Sequence, residues 1–356
     1  MFSIPYGPFV LLSFSFLPIV IAQQQPQVFQ IPPVIPPVLH ALQCEYRGHD
    51  FLSWIWNTFD DPTHGRVNYI DKATALASNL TFASDDKFIM RTDSTSFVPS
   101  ASRGRNSNRI QSPDAFGNSI LVLDVQHMPT GCATWPAFWT VSQGGPWPTG
   151  GEIDIIEGQF MYFLFSFYVT QGFIGVNLNT MNLASLHTLP QCAMPPIRAQ
   201  TGQTVSTDCD SAVNYNQGCG VSSSNPRSYG PGFNACGGGW YVMERSDIGV
   251  KIWFFSRCEV ASVPLEVQSL YSPTISTLAW PQPDAFFPFG ENCSYNDHFD
   301  PHSIIFDTTL CGDWAGTAFA TSGCGAAQCS DYVDQNPGAF VDSFWEINYL
   351  RVYLPS

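Results

Sequence analysis

Charged side chains are scarce in this chain of 356 residues: Asp, Glu, Lys and Arg together make up 12% of it, about half the ~25% of an average globular protein. The few charges are unbalanced, with 14 Lys and Arg against 29 Asp and Glu and a formal net charge of −15. Nucleic acids and anionic membrane surfaces attract basic faces, so this balance argues against both as partners. An uncharged polymer such as a polysaccharide is compatible with it.

Helical periodicity is also missing, because no stretch keeps a 3.6-residue repeat of apolar positions for more than about two turns. A phosphate-binding loop is excluded, since the three glycines at 237–239 are followed by Trp240 and not by Lys. Instead, 28 Gly and 28 Pro divide the chain into short apolar runs. They predict an all-β fold of many short antiparallel strands in a sandwich. Alternation within 349–354 predicts a late strand with one buried face. The clearest runs are 120–127, 250–255, 303–307 and 347–354.

The amino-terminal residues are predicted to lie outside the folded domain. Residues 1–22 have the composition of a secretory signal peptide, with an apolar run over 9–22. That run is shorter than the ~20 residues of a membrane helix, so no stable membrane span is expected. Residues 23–43 are rich in Gln and Pro, and proline lacks an amide donor, so an extended, unpaired linker is predicted. One domain would then occupy 44–356.

Cysteine is abundant: the chain has 11, none in a repeated Cys-x-x-Cys pair. This content indicates disulfides in an oxidising compartment rather than metal sites. The odd number leaves at least one thiol unpaired, and the sequence leaves the connectivity open. N-glycosylation sequons at Asn79 and Asn292 agree with secretion to the extracellular space or the cell wall. No cofactor or metal is expected; His298 and His302 flank Asp300, but that spacing fits no standard zinc pattern.

The most informative segment is 147–158, Trp-Pro-Thr-Gly-Gly-Glu-Ile-Asp-Ile-Ile-Glu-Gly. Side chains alternate between the two faces of a strand, so Glu152 and Asp154 point the same way. Regular alternation would bury Glu157. A β-bulge at 155–156, which inserts one extra residue, is predicted to return Glu157 to the acidic face.

Three carboxylates on one strand face can form a solvated surface or a catalytic cluster. Structural proteins usually neutralise such a face with Lys or Arg, but neither occurs between Arg109 and Arg198. Glycosidic cleavage with retention needs a nucleophilic carboxylate about 5–5.5 Å from a proton-donating carboxyl. We therefore expect Glu152 to be the nucleophile and Glu157 the acid/base. Asp154 would orient Glu152 and tune protonation.

This segment resembles the active-site strand of glycoside hydrolase family 16, in the laminarinase-like branch whose pattern is Glu-x-Asp-x-x-Glu with a bulge. The similarity to fungal secreted members extends over nearly the whole chain after the linker. It implies that 44–356 is a catalytic domain with a β-jelly-roll sandwich of two antiparallel sheets and a concave substrate cleft. It also implies endo-cleavage of β-1,3 or mixed-linkage glucan with retention. Further matching blocks are 60–69, 104–107, 135–139, 237–241 and 311–316.

Sugar rings stack their apolar faces on indoles, while their hydroxyls bind amides and guanidinium groups. By resemblance, Trp139, Trp147 and Trp314 are the better stacking platforms, and His187 matches a family histidine near the acid/base. Each tryptophan or His187 could instead pack in a core, and Arg109 could form a surface ion pair. The full set of substrate-binding candidates is Asn106, Arg109, Trp135, Trp139, Trp147, His187 and Trp314.

Residues 159–175, directly after the acids, depart from the family pattern. The segment carries no charge and is rich in aromatics, so it would favour aggregation if exposed. Three interpretations are open: a retained intron that keeps the reading frame, a hydrophobic loop that lines the cleft, or a hairpin that dips into a membrane. An insertion here could displace Glu157.

The leading hypothesis is a secreted, monomeric, retaining endo-β-glucanase. The same acids would serve a cell-wall transglycosylase, in which a sugar rather than water accepts the glycosyl unit. A noncatalytic glucan-binding protein would need the aromatics but not three acids, which counts against it. The preference among β-1,3, mixed 1,3/1,4 and branched glucans stays open.

Overall fold

Nineteen strands and five short α-helices form the described part of the molecule, for which the computed structural model gives Met1 and residues 39–158, 181–325 and 328–356. The predicted signal peptide after Met1, the linker up to residue 38 and the insert 159–175 lie outside these residues. The four apolar runs predicted to be strands are strands. In chain order the strands are β1 His40–Tyr46, β2 Ile55–Trp56, β3 Val67–Tyr69, β4 Thr81–Ala83, β5 Phe88–Arg91, β6 Arg105–Ser107, β7 Arg109–Phe116, β8 Ser119–His127, β9 Thr134–Ser142, β10 Glu152–Glu157, β11 Leu183–His187, β12 Gln203–Thr204, β13 Cys219–Ser222, β14 Gly239–Ser246, β15 Gly249–Ser256, β16 Thr274–Ile275, β17 Ala285–Pro288, β18 His302–Leu310 and β19 Phe344–Pro355. The α-helices are α1 Lys72–Ala77, α2 Gly230–Ala235, α3 Leu265–Gln268, α4 Tyr295–His298 and α5 Cys329–Gln335.

Two antiparallel sheets contain most of these strands. One has nine strands, in the order β16-β1-β19-β8-β14-β15-β17, with β5 pairing to β19 and β4 to β5. The other has eight, in the order β12-β13-β11-β10-β9-β18-β7-β2, and includes the acidic strand β10. Strands β3 and β6 form a separate parallel pair. The predicted all-β class of two antiparallel sheets is confirmed.

One hydrophobic core lies between the two sheets. It contains Leu123 and Leu350 from the nine-stranded sheet, and Ile153 and Phe306 from the eight-stranded sheet, each fully buried. In each strand these side chains alternate with residues on the opposite face, as the two-residue period requires. Burial of the isoleucines of β10 in this core fixes which face of the strand carries the acids.

The last strand, β19, was predicted to have one buried face, and in the structure both faces are buried. Ile347, Leu350 and Val352 are buried between the sheets as expected, and Leu354 is half-buried against the same core, but Tyr349 and Tyr353 on the other face are buried as well. The Tyr349 hydroxyl donates to the Val267 carbonyl at 2.8 Å, and that of Tyr353 to the Ser272 carbonyl at 3.1 Å. A segment that includes α3 therefore covers the outer face. Alternation alone could not reveal this second cover.

The folded unit begins earlier than the predicted boundary at Cys44. Strand β1 starts at His40, which lies opposite Pro355 of β19. Residues 40–43 therefore belong to the sheet and not to an unpaired linker. The physical reason is that no proline follows Pro37 in this stretch, so each backbone amide can join the ladder.

The cysteines form five disulfides and leave Cys44 as a half-buried free thiol. This agrees with the odd cysteine count and resolves the connectivity that the sequence left open. Both sequon asparagines, Asn79 and Asn292, are exposed. In the described ranges no helix is both long and apolar enough to cross a membrane. The disulfides are Cys132–Cys324, Cys192–Cys293, Cys209–Cys219, Cys236–Cys258 and Cys311–Cys329.

Candidate active site

Strand β10 has the predicted bulge. Its register against β9 shifts between Asp154 and Ile156, so Ile155 has no partner residue there. The side chains of Ile155 and Ile156 are both fully buried. The extra residue turns Glu157, which is half-buried, to the same face as Glu152 and Asp154.

On one side of β10, strand β11 supplies partners for the acids. His187 lies opposite Glu152 in register, and Ser185 lies opposite Asp154. Ser185 Oγ donates to Asp154 Oδ2 at 2.7 Å, and His187 Nε2 lies 3.4 Å from the same oxygen. His187 Nδ1 is 2.8 Å from Asn216 Oδ1. Because both neighbours are oxygen acceptors, the arrangement favours a ring that is protonated on both nitrogens.

Two indole N–H groups bind the two glutamates. Trp147 Nε1 donates to Glu152 Oε2 at 2.8 Å, and Trp135 Nε1 donates to Glu157 Oε1 at 2.9 Å. The sequence predicted both tryptophans as substrate-binding candidates, with Trp147 as one of the better stacking platforms, and gave no indication of this donation. Trp147 is exposed, while Trp135 is half-buried. Each glutamate therefore has its own donor, which favours its ionised form.

Burial and like charge shift the protonation of the cluster. Burial, followed by the charge of Asp154, raises the pKa of Glu152 to about 8. The same two causes raise the pKa of Glu157 well above its ordinary value. Burial favours the neutral form of His187, but the hydrogen bond and charge of Asp154 and the charges of both glutamates outweigh it and raise its pKa to about 10. At neutral pH the cluster therefore combines an imidazolium with at least one protonated carboxyl.

An ion pair lies on the other side of β10. Glu157 is opposite Ala137 of β9, which is opposite Asp307 of β18. Arg109 Nη1 donates to Asp307 Oδ2 at 3.2 Å, and the guanidinium lies 4.8 Å from the ring centre of Trp139. Burial raises the pKa of Asp307 to about 7, although the charge of Arg109 opposes the rise. Arg109 and Asp307 are both buried, so the alternative of a surface ion pair for Arg109 is wrong.

The remaining predicted residues are Trp314 and Asn106. Trp314 is half-buried and packs edge-on against Trp135, with ring centres 5.6 Å apart, so it lies at the Glu157 end of the cluster. Asn106 lies on β6, outside the eight-stranded sheet, and its Oδ1 accepts from Asn68 Nδ2 at 2.7 Å. This contact connects Asn106 to the parallel β3–β6 pair rather than to the acids.

Four residues around the cluster were absent from the sequence prediction: Asn182, Ser185 and Asn216, which contact it, and Asp307, which pairs with Arg109. Ser185 lies two residues before His187, so strand alternation could have identified it. Asp307 ends one of the predicted strand runs, but its position opposite Arg109 depends on pairing between distant strands. No signal in the sequence links Asn216 to His187.

The cluster also has the composition of a metal site. Glu152, Asp154 and His187 each offer one ligand atom, and these atoms lie within 4.8 Å of one another. Trp147 and Ser185 already donate hydrogen bonds to the two carboxylates, so the donor set suits proton chemistry. That the protein needs no metal stays a prediction.

A β-sandwich that presents paired glutamates, an intervening aspartate and several tryptophans on one sheet face defines the class of carbohydrate-cleaving enzymes. A family model for the XgeA-like catalytic domain of glycoside hydrolase family 16 matches residues 54–162 and 172–353. The chain belongs to glycoside hydrolase family 16, and it is a glycoside hydrolase. The unmatched residues 163–171 lie inside the predicted insert 159–175.

Known proteins agree with this membership. A probable endo-1,3(4)-β-glucanase of Aspergillus fumigatus is 37% identical over 325 residues, which is 88% of this chain and 45% of that protein. The chain thus spans less than half of that relative. Laminarinase 16A of Phanerochaete chrysosporium, solved with β-glucans in donor and acceptor sites, is 45% identical, with a TM-score of 0.79 over 88% of this chain and 99% of that one. An elongating family 16 β-1,3-glucosyltransferase is 33% identical, with a TM-score of 0.76 over 88% of this chain and 99% of that one. The predicted jelly-roll fold is confirmed by these matches.

Proposed function

We propose that this chain is a secreted, retaining endo-β-glucanase that hydrolyses β-1,3 glucan. In this proposal Glu152 is the nucleophile, Glu157 is the acid/base and Asp154 orients Glu152. The observation that carries it is the bulge of β10, which puts two glutamates on one sheet face beside the buried Asp154–His187 pair. A retaining mechanism requires two such carboxyl groups, one ionised to act as nucleophile and one protonated to act as acid.

The surroundings of the two glutamates support the division of roles. Glu152 is stabilised in its ionised form by the charge of His187, the N–H of Trp147 and the charge of Arg109. Glu157 has the charge of His187 and one indole donor, but the negative charge of Glu152 opposes its ionisation. As pH rises, Glu152 is therefore expected to lose its proton first, while Glu157 stays protonated.

The reaction then has two balanced steps. In the first, the Glu152 carboxylate attacks the anomeric carbon, while Glu157 gives its proton to the glycosidic oxygen as the carbon–oxygen bond breaks. In the second, the Glu157 carboxylate takes a proton from water, and the water oxygen displaces Glu152 from the sugar. Two displacements restore the original configuration. Imidazolium at His187 keeps the site from accumulating uncompensated negative charge.

The substrate class follows from the lining and from the relatives. A neutral glucan needs no cationic site, and the tryptophans around the acids offer faces for sugar rings. The relatives include a probable endo-1,3(4)-β-glucanase and a laminarinase solved with β-glucans in donor and acceptor sites. Five disulfides fit an oxidising compartment. These observations support a secreted enzyme that acts on β-1,3 glucan, with a concave cleft along the acidic face.

The test is hydrolysis of laminarin, a mixed 1,3/1,4 glucan and a 1,4 glucan by wild-type protein and Glu152→Gln. We expect wild-type activity on laminarin and less than a few per cent of it in the variant. Glu244→Gln is a matched control, because Glu244 lies on β14 in the other sheet and pairs with Lys251. A fully active Glu152→Gln protein would refute the assignment. Wild-type protein that binds laminarin without depleting it would instead support a noncatalytic role.

Transglycosylation is the second candidate. The structural likeness to an elongating glucosyltransferase favours it, and the same covalent intermediate serves both reactions. Chromatography of products from a defined laminari-oligosaccharide separates them, because oligosaccharides longer than the substrate form only by transfer. Shorter products alone identify a hydrolase.

A further inference from the structure

The bulge of β10 leaves Ile155 without a partner residue on either neighbouring strand, and one side chain binds backbone groups of Ile155 and Glu157. Asn182 Nδ2 donates to the Ile155 carbonyl at 2.7 Å, and Asn182 Oδ1 accepts from the Glu157 N–H at 3.1 Å. Asn182 is only 3% exposed. Its amide therefore pairs the buried Ile155 carbonyl and the half-buried Glu157 N–H, one on each side of Ile156.

Asn182 is itself held at both backbone groups. Its N–H donates to Ser228 Oγ at 2.8 Å, and its carbonyl accepts from the Ser223 N–H at 2.8 Å. The next residue after Ser228, the buried Tyr229, donates from its hydroxyl to the Gly158 carbonyl at 2.8 Å. A Cβ atom at Gly158 would lie 2.7 Å from the Tyr229 ring, so only glycine permits this approach. Ser228 and Tyr229 thus bind the backbone at Asn182 and at Gly158, respectively.

We propose that Asn182 is a positioning residue that holds Glu157 in the bulged register. It does so through contacts that involve none of residues 159–180. The inference rests on the proposed role of Glu157 as acid/base. Without the amide, the Ile155 carbonyl and the Glu157 N–H would each lose this hydrogen-bond partner. Strand β10 could relieve that cost by slipping into regular register, and a one-residue slip turns the Glu157 side chain toward the core.

The test compares two substrates of Asn182→Ala. Cleavage of glucan needs a proton from Glu157. The dinitrophenolate of a 2,4-dinitrophenyl β-laminaribioside leaves without a proton. Added azide then attacks the glycosyl-enzyme in place of water and needs no general base. On laminarin we expect kcat to fall about 100-fold, the effect of misplacing a catalytic group by about 1 Å, with KM little changed. On the aryl glycoside with azide the loss should be less than about tenfold.

Asn234→Ala is the matched control. Asn234 Oδ1 accepts from the Met128 N–H, and its Nδ2 donates to the Met128 carbonyl, both at 3.0 Å. This asparagine brackets a backbone segment as Asn182 does, but it contacts no acid of the site. Asn234→Ala should lower the melting temperature as much as Asn182→Ala does. Its ratio of activity on laminarin to activity on the aryl glycoside should equal that of the wild-type protein.

Glu157→Ala separates failure of this proposal from failure of the proposed function. If the aryl leaving group and azide do not rescue Glu157→Ala, the acid/base assignment falls. If they rescue Glu157→Ala but Asn182→Ala loses equally on both substrates, Asn182 is only structural. Should Asn182→Ala not fold, Asn182→Asp retains the shape and adds a negative charge beside Glu157. It should then move the alkaline limb of the pH profile upward, and an unmoved limb overturns the proposal.

Discussion

His187 Nε2 lies 3.4 Å from Asp154 Oδ2, and both side chains are buried beside the two glutamates. The sequence suggested Asp154 as the residue that tunes protonation, and His187 as a substrate-binding group. The contact shows that they form one electrostatic unit. Asp154 raises the pKa values of Glu152 and Glu157, while His187 lowers both.

Replacing His187 by Gln removes the positive charge and keeps a polar side chain of similar length. Loss of a nearby cation raises the pKa of a carboxyl, so the pKa values of Glu152 and Glu157 should both increase. Both limbs of the kcat/KM profile against pH should then move to higher pH, together with a fall in the maximum. Limbs that stay in place would show that His187 is neutral in the free enzyme.

The two indole donors should affect opposite limbs of the same profile. Trp147→Phe removes the donor of Glu152, so the acidic limb, which reports ionisation of the nucleophile, should move to higher pH. Trp135→Phe removes the donor of Glu157, so the alkaline limb should move to higher pH. In Trp147→Phe the lost hydrogen bond is to an ionised carboxylate, and its loss should lower kcat/KM by about tenfold. In Trp135→Phe the partner Glu157 is protonated in the free enzyme, so the decrease should be smaller. If Trp147→Phe shifts the alkaline limb and Trp135→Phe the acidic limb, the assignment of the two glutamates is reversed.

Stability should decrease as pH rises, because folding raises the pKa of Glu152 from its ordinary 4.5 to about 8. The folded state then keeps a proton that the unfolded state releases. The resulting contribution of Glu152 to the free energy of unfolding is fully present below about pH 4.5 and is lost as pH rises through about 8. The raised pKa of His187 adds a contribution that is present below its ordinary 6.5 and lost through about 10.

Urea unfolding at a series of pH values measures this effect. The free energy of unfolding of wild-type protein should fall between about pH 5 and 8, and that of Glu152→Gln should fall less over the same range. Between pH 5 and pH 8 the variant should therefore lose less of its free energy of unfolding than the wild-type protein does. Parallel curves would mean that Glu152 does not bind a proton in the folded state.

Deletion of residues 159–175 should raise soluble yield without lowering activity. The segment is uncharged and rich in aromatics, and Tyr229 and Asn182, which lie outside it, both contact the end of β10. Soluble yield and laminarin hydrolysis of the deletion variant check this. A variant that folds but is inactive would identify the segment as a functional loop. Sequencing the transcript across the region tests the retained-intron interpretation directly.

Thiol titration should find one free cysteine per chain in denatured, unreduced protein. Cys44 is the thiol outside the five disulfides, and it lies on β1, where it is half-buried in the folded state. Labelling should therefore be slower under native conditions than in denaturant. Cys44→Ser should abolish the labelling and leave glucan hydrolysis intact. A second reactive thiol would contradict the described connectivity.

Most of the strand pattern was predictable, because alternation and Gly/Pro punctuation are local properties of the chain. The bulge of β10 was predictable for a similar reason: Glu157 can share a face with Glu152 only if one residue is added between them. The start of β1 at His40 and the second cover over Tyr349 were not predictable. Both depend on which distant segment pairs with or packs on the strand.

The sequence by itself determined the fold class, the acidic strand with its bulge, and the presence of an unpaired cysteine. Each of these follows from residue types and short spacings. Only the tertiary structure decided which cysteine is free, that indole N–H groups serve the two glutamates, and that Asp307 pairs with Arg109 across 198 positions of the chain. It also decided that Asn182 binds the bulge. A side-chain contact between distant segments depends on strand register and packing, and neither is encoded in a local pattern.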